Sequence, residues 1–262
     1  MAAVGTAGSV GDALAAATDA LAAAGVDSPR LDAELMLAEA SGAGRAALAA
    51  DPDAALEPGA GRLFAAMVRR RLRREPLAYI VGRKGFFGIE LAVDRRALIP
   101  RPETELLVEV ALELGPRRLL EVGTGSGAVA LALARELPDL EIVATDTSGA
   151  ALELARSNAS RLGVEGRVRF AAGTLSAGER FDLVVANLPY VAEAEWAGLA
   201  PEIRDWEPRD ALLAGPDGLA SIRSLLETLA RAEPPVTGAV ALEVGAGQAA
   251  PVAHMMAAAG FA

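Results

Sequence analysis

Cysteine is absent and histidine occurs once, at His254. Without a thiol there is no disulfide scaffold, no thiolate metal site and no cysteine nucleophile. One imidazole in an apolar stretch supplies neither a Ser-His-Asp triad nor a multi-histidine metal centre. His254 therefore reads as an ordinary helix residue, and no metal is expected. Aromatic residues are scarce at 4%, although hydrophobic residues reach 52%. The core must come from Leu, Val and Ala, which suits helices packed on a parallel sheet. Positive charge is also in deficit, with a formal net charge of −10. That balance argues against a surface built mainly to hold nucleic acid. The N-terminus lacks a basic n-region and carries Asp12 and Asp19, so no signal peptide is expected. The most apolar late stretch, 236–262, is broken by Glu243, several glycines and Pro251, and does not read as a membrane span. A cytoplasmic location is the expectation.

What is present divides by periodicity. At 262 residues the chain has room for one large or two modest domains. Residues 1–75 read as a helical domain. Val10, Leu14, Ala17 and Leu21 form one apolar face, and Gly25 ends that segment. Ser28-Pro29 opens a second helix, with Leu31, Leu35 and Ala38 as its stripe. A third, near 61–74, places Phe64, Val68 and Leu72 together. The run Arg69 to Arg74 reads as a solvated face or as a docking surface for an acidic partner. Residues 76–100 read as a β-hairpin linker, with Gly82, Gly85 and Gly88 punctuating Phe86, Phe87, Ile89, Leu91 and Val93. From 101 to 262 strands and helices alternate: strands near 118–122, 141–145, 167–171, 181–186 and 239–244, and helices near 128–137, 150–162, 219–230 and 249–259. Such alternation predicts an α/β domain, a mainly parallel sheet with helices on both faces.

Three motifs fall at the carboxyl ends of the predicted strands, where ligands bind in open parallel sheets. Glu121-Val122-Gly123-Thr124-Gly125-Ser126-Gly127 joins a strand to a helix. Its G-x-G-x-G spacing is neither the dinucleotide G-x-G-x-x-G nor a P-loop. A tight turn alone would account for it, but Asp146 ends the next strand, where a carboxylate accepts hydrogen bonds from ribose hydroxyls. Together they indicate a nucleoside cofactor, and the glycine spacing favours S-adenosylmethionine (AdoMet) over NAD. The third motif is Asn187-Leu188-Pro189-Tyr190. Asn187 Oδ1 and the Leu188 carbonyl are placed to accept both hydrogens of a planar NH2 group, with Tyr190 packing on its plane. Two acceptors favour pyramidalisation of that nitrogen and direct its lone pair at the methyl group.

These residues resemble class I AdoMet-dependent methyltransferases that modify NH2 groups. The closest resemblance is to the release-factor glutamine methyltransferases, the PrmC or HemK family. It extends over nearly the whole chain, through Ser28 to Glu34, Arg71 to Pro76, Tyr79 to Gly82, Leu98 to Glu105, Glu121 to Gly127, Asp146, Asn158, Glu207 to Leu213, Gly215 and Gly218-Leu219. It implies a Rossmann-like methyltransferase domain at 101–262, behind the helical domain and the hairpin. It implies that Glu121, Gly123, Thr124, Gly125, Gly127, Asp146, Thr174 and Asn187 bind AdoMet. Asn187, Leu188, Pro189 and Tyr190 would hold the substrate, the glutamine of the Gly-Gly-Gln loop of class I peptide-chain release factors, methylated at N5 in the service of translation termination. A monomer is expected, with no membrane binding and no direct nucleic-acid binding. Three departures stand out. Leu188 replaces a proline, Thr174 replaces an acidic residue, and the chain stops at Ala262 where a closing pair of strands is expected. Adenine N6-methylation of nucleic acid is the rival enzymatic reading, and an AdoMet-binding protein without turnover is the third.

Overall fold

Residues 8–174, 179–232, 236 and 238–261 are described by a computed structural model. Met1–Gly82 with Pro201–Trp206 forms one unit, and Arg83–Ala200 with Glu207–Ala262 the other. Residues 1–7 of the expected helical stretch lie outside the described residues.

The first unit begins with α1 (Val10–Ala23). It is opened by a capping box in which Ser9 Oγ accepts from Asp12 N at 3.2 Å and Asp12 Oδ2 accepts from Ser9 N at 3.3 Å. Each bond satisfies an otherwise unpaired amide. Val10, Leu14, Ala17 and Leu21 are buried, as their spacing predicts. The chain continues through α2 (Pro29–Ser41), α3 (Arg45–Ala50), α4 (Pro58–Arg71) and α5 (Leu77–Val81).

Two expected stripes are corrected here. In α2 the buried residues are Asp32, Ala33, Met36 and Leu37, while Leu31 is exposed. In α4 Phe64 and Val68 are buried as expected, but Arg71 is buried and Leu72 faces solvent. The reason is an ion pair that a hydrophobic pattern cannot register. Arg71 Nε donates to Asp32 Oδ2 at 2.6 Å, and Nη1 donates to Glu202 Oε1 at 2.8 Å.

Within the arginine run, Arg70, Arg71 and Arg74 are committed to internal partners, while Arg69 and Arg73 remain exposed. Arg70 grips Glu75 and donates to the carbonyls of Tyr79 and Ile80. Arg74 forks onto both oxygens of Glu202 and donates to Ala24 O and Gly25 O. Arg74 has φ +62°, a conformation few non-glycine residues adopt, and its five-donor side chain holds it there. Trp206 Nε1 donates to Arg73 O at 3.3 Å. The segment Pro201–Trp206 is thereby fastened within the first unit.

The stretch expected as a hairpin linker is also shorter than 76–100. Pro76 opens a helical turn, α5, that Gly82 closes at φ +74°. Only Arg83–Phe86 (β1) and Ile89–Ala92 (β2) pair as a hairpin, and they belong to the second unit.

The second unit continues with α6 (Glu105–Leu114), β3 (Arg118–Val122), α7 (Ala128–Glu136), β4 (Glu141–Asp146), α8 (Gly149–Arg161), β5 (Val168–Ala172) and β6 (Leu183–Asn187). After α9 (Pro201–Arg204, in the first unit) come α10 (Ala220–Arg231), β7 (Val240–Glu243) and α11 (Ala249–Ala258), which carries His254 exposed. The five strands β3–β7 are all parallel, in the order β5-β4-β3-β6-β7. Strands covered on both faces read as continuous apolar runs. Alternation then sorts the side chains. Leu120, Val122, Val184, Ala186, Val240 and Leu242 pack toward Leu225 and Leu229 of α10. Glu121, Asn187 and Glu243 consequently project from the opposite face, where the backbone of α7 and the start of α6 meet Glu121 and Asn187.

Candidate active site

The carboxyl ends of β3, β4 and β6 border a cavity of about 610 Å³, within the range that small ligands occupy. Glu121, Gly123, Thr124, Gly125, Asp146 and Thr174 line it, together with Asn187, Leu188 and Pro189. Gly127 and Tyr190 do not.

The turn after β3 is held from the next strand, since Gly123 N and Thr124 N both donate to Thr145 O at 2.9 Å. Gly123 has φ +77°, and a Cβ there would lie 3.1 Å from Leu188 Cδ2. Glycine at this point lets Leu188 pack onto the turn. Gly127, at φ +87°, would press a Cβ within 2.9 Å of Leu131 Cδ1. Its work is to let α7 start close against its neighbours. Asp146 Oδ2 accepts from Gly125 N at 2.9 Å and Oδ1 from Ser148 N at 2.8 Å. Each oxygen retains acceptor capacity toward the cavity. Thr174 gives its carbonyl to Thr145 Oγ1 at 3.1 Å.

Glu121 is buried, and its Oε2 accepts from Thr124 Oγ1 at 2.7 Å and Ala130 N at 3.1 Å. Burial, joined by the nearby Asp146 charge, pushes its carboxyl up to about 7 against those two hydrogen bonds. Between its ordinary value of 4.5 and about 7 the folded protein holds a proton that the unfolded chain has lost. Stability contributed by this group therefore falls as pH rises through that window, by about 3 kcal/mol at most. Urea unfolding across the window should show a negative slope that Glu121→Gln removes. Parallel profiles for the two proteins would show that Glu121 does not carry this proton.

At the end of β6, Asn187 Nδ2 donates to Thr104 Oγ1 at 2.9 Å. Its nitrogen is thus turned toward the start of α6. Leu188 packs among Leu225, Leu242 and their neighbours while its residue still lines the cavity. The Tyr190 carbonyl accepts from Gln248 Nε2 at 3.0 Å, and its ring lies where a Cβ on Gly245 would meet Cδ2 at 3.1 Å. Burial raises the pKa of its hydroxyl, with Glu243 adding to the effect.

Several supporting residues went unassigned in the sequence reading. Thr104 orients Asn187. Gln248 bridges Tyr190 O and Gly245 N. Glu207, buried, accepts from Ile99 N at 3.0 Å and from Arg101 Nη2 at 2.5 Å. Asn158 Oδ1 accepts from Ala92 N, while its Nδ2 donates to Ala92 O and Ser126 O. Asn158 therefore ties the hairpin to the glycine turn. Only its place in the matched pattern marked it in the sequence.

A bare-backbone turn, a carboxylate at the next strand's end and a buried acid fit a cationic nucleoside such as AdoMet. With this sheet order they define a class I methyltransferase domain. The PrmC N-terminal domain family matches residues 12–82, and the Methyltransferase small domain family matches residues 102–201. The release factor glutamine methyltransferase of Nitratidesulfovibrio vulgaris is 43% identical over 90% of this chain and 82% of its own. That of Cereibacter sphaeroides is 42% identical over 96% and 91%. The hMettl16 catalytic domain, solved with the MAT2A 3′UTR hairpin 1, superposes with a TM-score of 0.55 at 16% identity, over 74% of this chain and 72% of that one. It shares the fold. The chain belongs to the release factor glutamine methyltransferase family. Among the described residues, no helix is long and apolar enough to cross a membrane.

Proposed function

We propose that this protein transfers a methyl group from AdoMet to the side-chain amide nitrogen of the glutamine in the Gly-Gly-Gln loop of class I peptide-chain release factors. It works as a cytoplasmic monomer on a protein substrate, without direct nucleic-acid binding. AdoMet supplies the electrophilic methyl when bound. Glu121, Gly123, Thr124, Gly125, Asp146 and Thr174 hold it, with Asp146 accepting from the ribose hydroxyls, Gly127 shaping the turn and Asn187 at its reactive end.

The observation that carries the reading is the orientation of Asn187. With Nδ2 committed to Thr104, Oδ1 is the atom left to face the cavity that Asn187 lines. An acceptor there takes one hydrogen of the substrate NH2 group, and the Leu188 carbonyl takes the other. The amide lone pair, otherwise delocalised, is freed as the nitrogen pyramidalises. No strong base is needed if the proton leaves after the methyl arrives. Pro189 stiffens the loop, and Tyr190 supports the substrate from its seat on Gly245.

Labelled AdoMet, offered with purified release factor and RNA side by side, tests the proposal. The label is expected on the Gly-Gly-Gln glutamine by mass spectrometry. Label on adenine instead would overturn the substrate assignment, and AdoMet binding with no transfer to either would overturn the activity.

A further inference from the structure

Among the described residues, Glu243 Oε2 is the one buried side-chain oxygen or nitrogen with no hydrogen-bond partner. Such an atom is costly and calls for an explanation. Glu243 ends β7 directly opposite Asn187 in the β6–β7 register. Both side chains leave the sheet on the face opposite α10, because Val240 and Leu242, like Val184 and Ala186, pack toward that helix. Thr104, buried at the start of α6, receives the Asn187 amide nitrogen. Its hydroxyl and the Asn187 amide both favour the ionised form of Glu243.

We infer that Glu243 is a positioning residue that fixes which way round the Asn187 amide sits, acting directly and through Thr104. The inference rests on the proposed role of Asn187 as an acceptor for substrate. An asparagine amide and its flipped form have nearly the same shape and differ in polarity. The flipped form would aim Oδ1 at the Glu243 carboxylate, with no hydrogen between them. It would also present NH2 to the cavity, a donor where the substrate NH2 needs an acceptor. A carboxylate behind Asn187 therefore excludes the unproductive orientation. The charges of Glu103 and Arg101 also reach Glu243, opposing and favouring its ionised form respectively, and Tyr190 of the tetrad feels the Glu243 charge. Burial raises the pKa of Glu243, so its proton returns, and the bias is lost, above the ordinary carboxylate range.

The composition makes this readable. The chain has two asparagines, Asn158 and Asn187, so labelling with [15N]asparagine yields two side-chain NH2 groups by NMR. Asn158, bound to three backbone groups, is the internal reference. In the wild-type protein the Asn187 signals should be protected from exchange and should titrate as Glu243 gains its proton. In Glu243→Gln they should lose both properties while Asn158 is unchanged. In methyl-transfer assays Glu243→Gln should lower kcat about tenfold, as a misaimed group does, with KM and AdoMet affinity near wild type. The acid limb of the kcat profile should flatten in that variant. Thr104→Val should cause a similar loss, and the double variant should lose little more than either single one.

Asn187 signals indifferent to pH and to Glu243→Gln would overturn the inference, as would a loss confined to KM or to melting temperature. If glutamine is methylated but Asn187 ignores Glu243, the inference falls and the proposed function stands. If Asn187 responds to Glu243 but glutamine is never methylated, the polarity relay stands and the substrate assignment falls.

Discussion

Asn187→Ala should reduce turnover by about 10²-fold or more, the size of effect seen when one preorganised polar group is lost. AdoMet affinity should stay near wild type, because the turn after β3 and Asp146 are held by backbone contacts that do not involve Asn187. In the proposed mechanism the contact with the substrate amide strengthens as that nitrogen pyramidalises, so its loss belongs to kcat more than to KM. Asn187→Asp should recover little. It restores an acceptor but places a second carboxylate beside Glu243 and removes the donor to Thr104. Single-turnover transfer to release factor, with calorimetry for AdoMet, separates the effects. An Asn187→Ala enzyme with normal kcat and raised KM would remove Asn187 from the chemical step.

Arg71→Met should destabilise the protein by about 3–5 kcal/mol, because removing one partner of a buried ion pair leaves charge without compensation. Arg71 and Asp32 have relative exposures of 6% and 7%, and the guanidinium also serves Glu202 and the Glu75 carbonyl. Burial works to raise the pKa of Glu202, but the hydrogen bonds from Arg74 and Arg71 outweigh it and hold the carboxylate ionised. Arg74 alone is left to pair with Glu202 when Arg71 is gone, and Asp32 loses the guanidinium that pairs with it. Arg71→Lys should rescue poorly, since one ammonium cannot reproduce the forked contacts. Arg30→Met, which opens the exposed Arg30–Glu34 pair, should cost less than about 1 kcal/mol. Urea midpoints for the three variants make the comparison, and an Arg71→Met protein as stable as Arg30→Met would refute the buried network.

What could be read in the sequence was what is local. The glycine turn, Asp146 and Asn187 each sit at a strand's end, and the strand-then-helix period of the sequence places them at one edge of a sheet. The apolar face of α1 follows its spacing for the same reason. The rest depends on partners far along the chain. Thr104 lies 83 residues from the Asn187 it orients, and Gln248 lies 58 from the Tyr190 carbonyl it holds. Asp32 and Arg71 look like surface residues to any hydrophobic pattern, yet they are buried because each neutralises the other 39 residues away. Tyr190 depends on distant partners too, since Gln248 holds its carbonyl and Gly245 leaves room for its ring.

The fastening of Pro201–Trp206 within the first unit bears on how this protein can be taken apart. The helical stretch ends at Gly82, which invites a cut there. A chain beginning at Arg83 would nevertheless carry six residues whose partners, among them Arg71, Arg74 and Arg73, had been discarded. Glu202 would be left without its two arginines in a loop that leads from Tyr190 to the Glu207 carboxylate. The two units are therefore not modules joined by a single thread. The chain crosses between them three times, and only a cut that respects all three crossings yields either one whole.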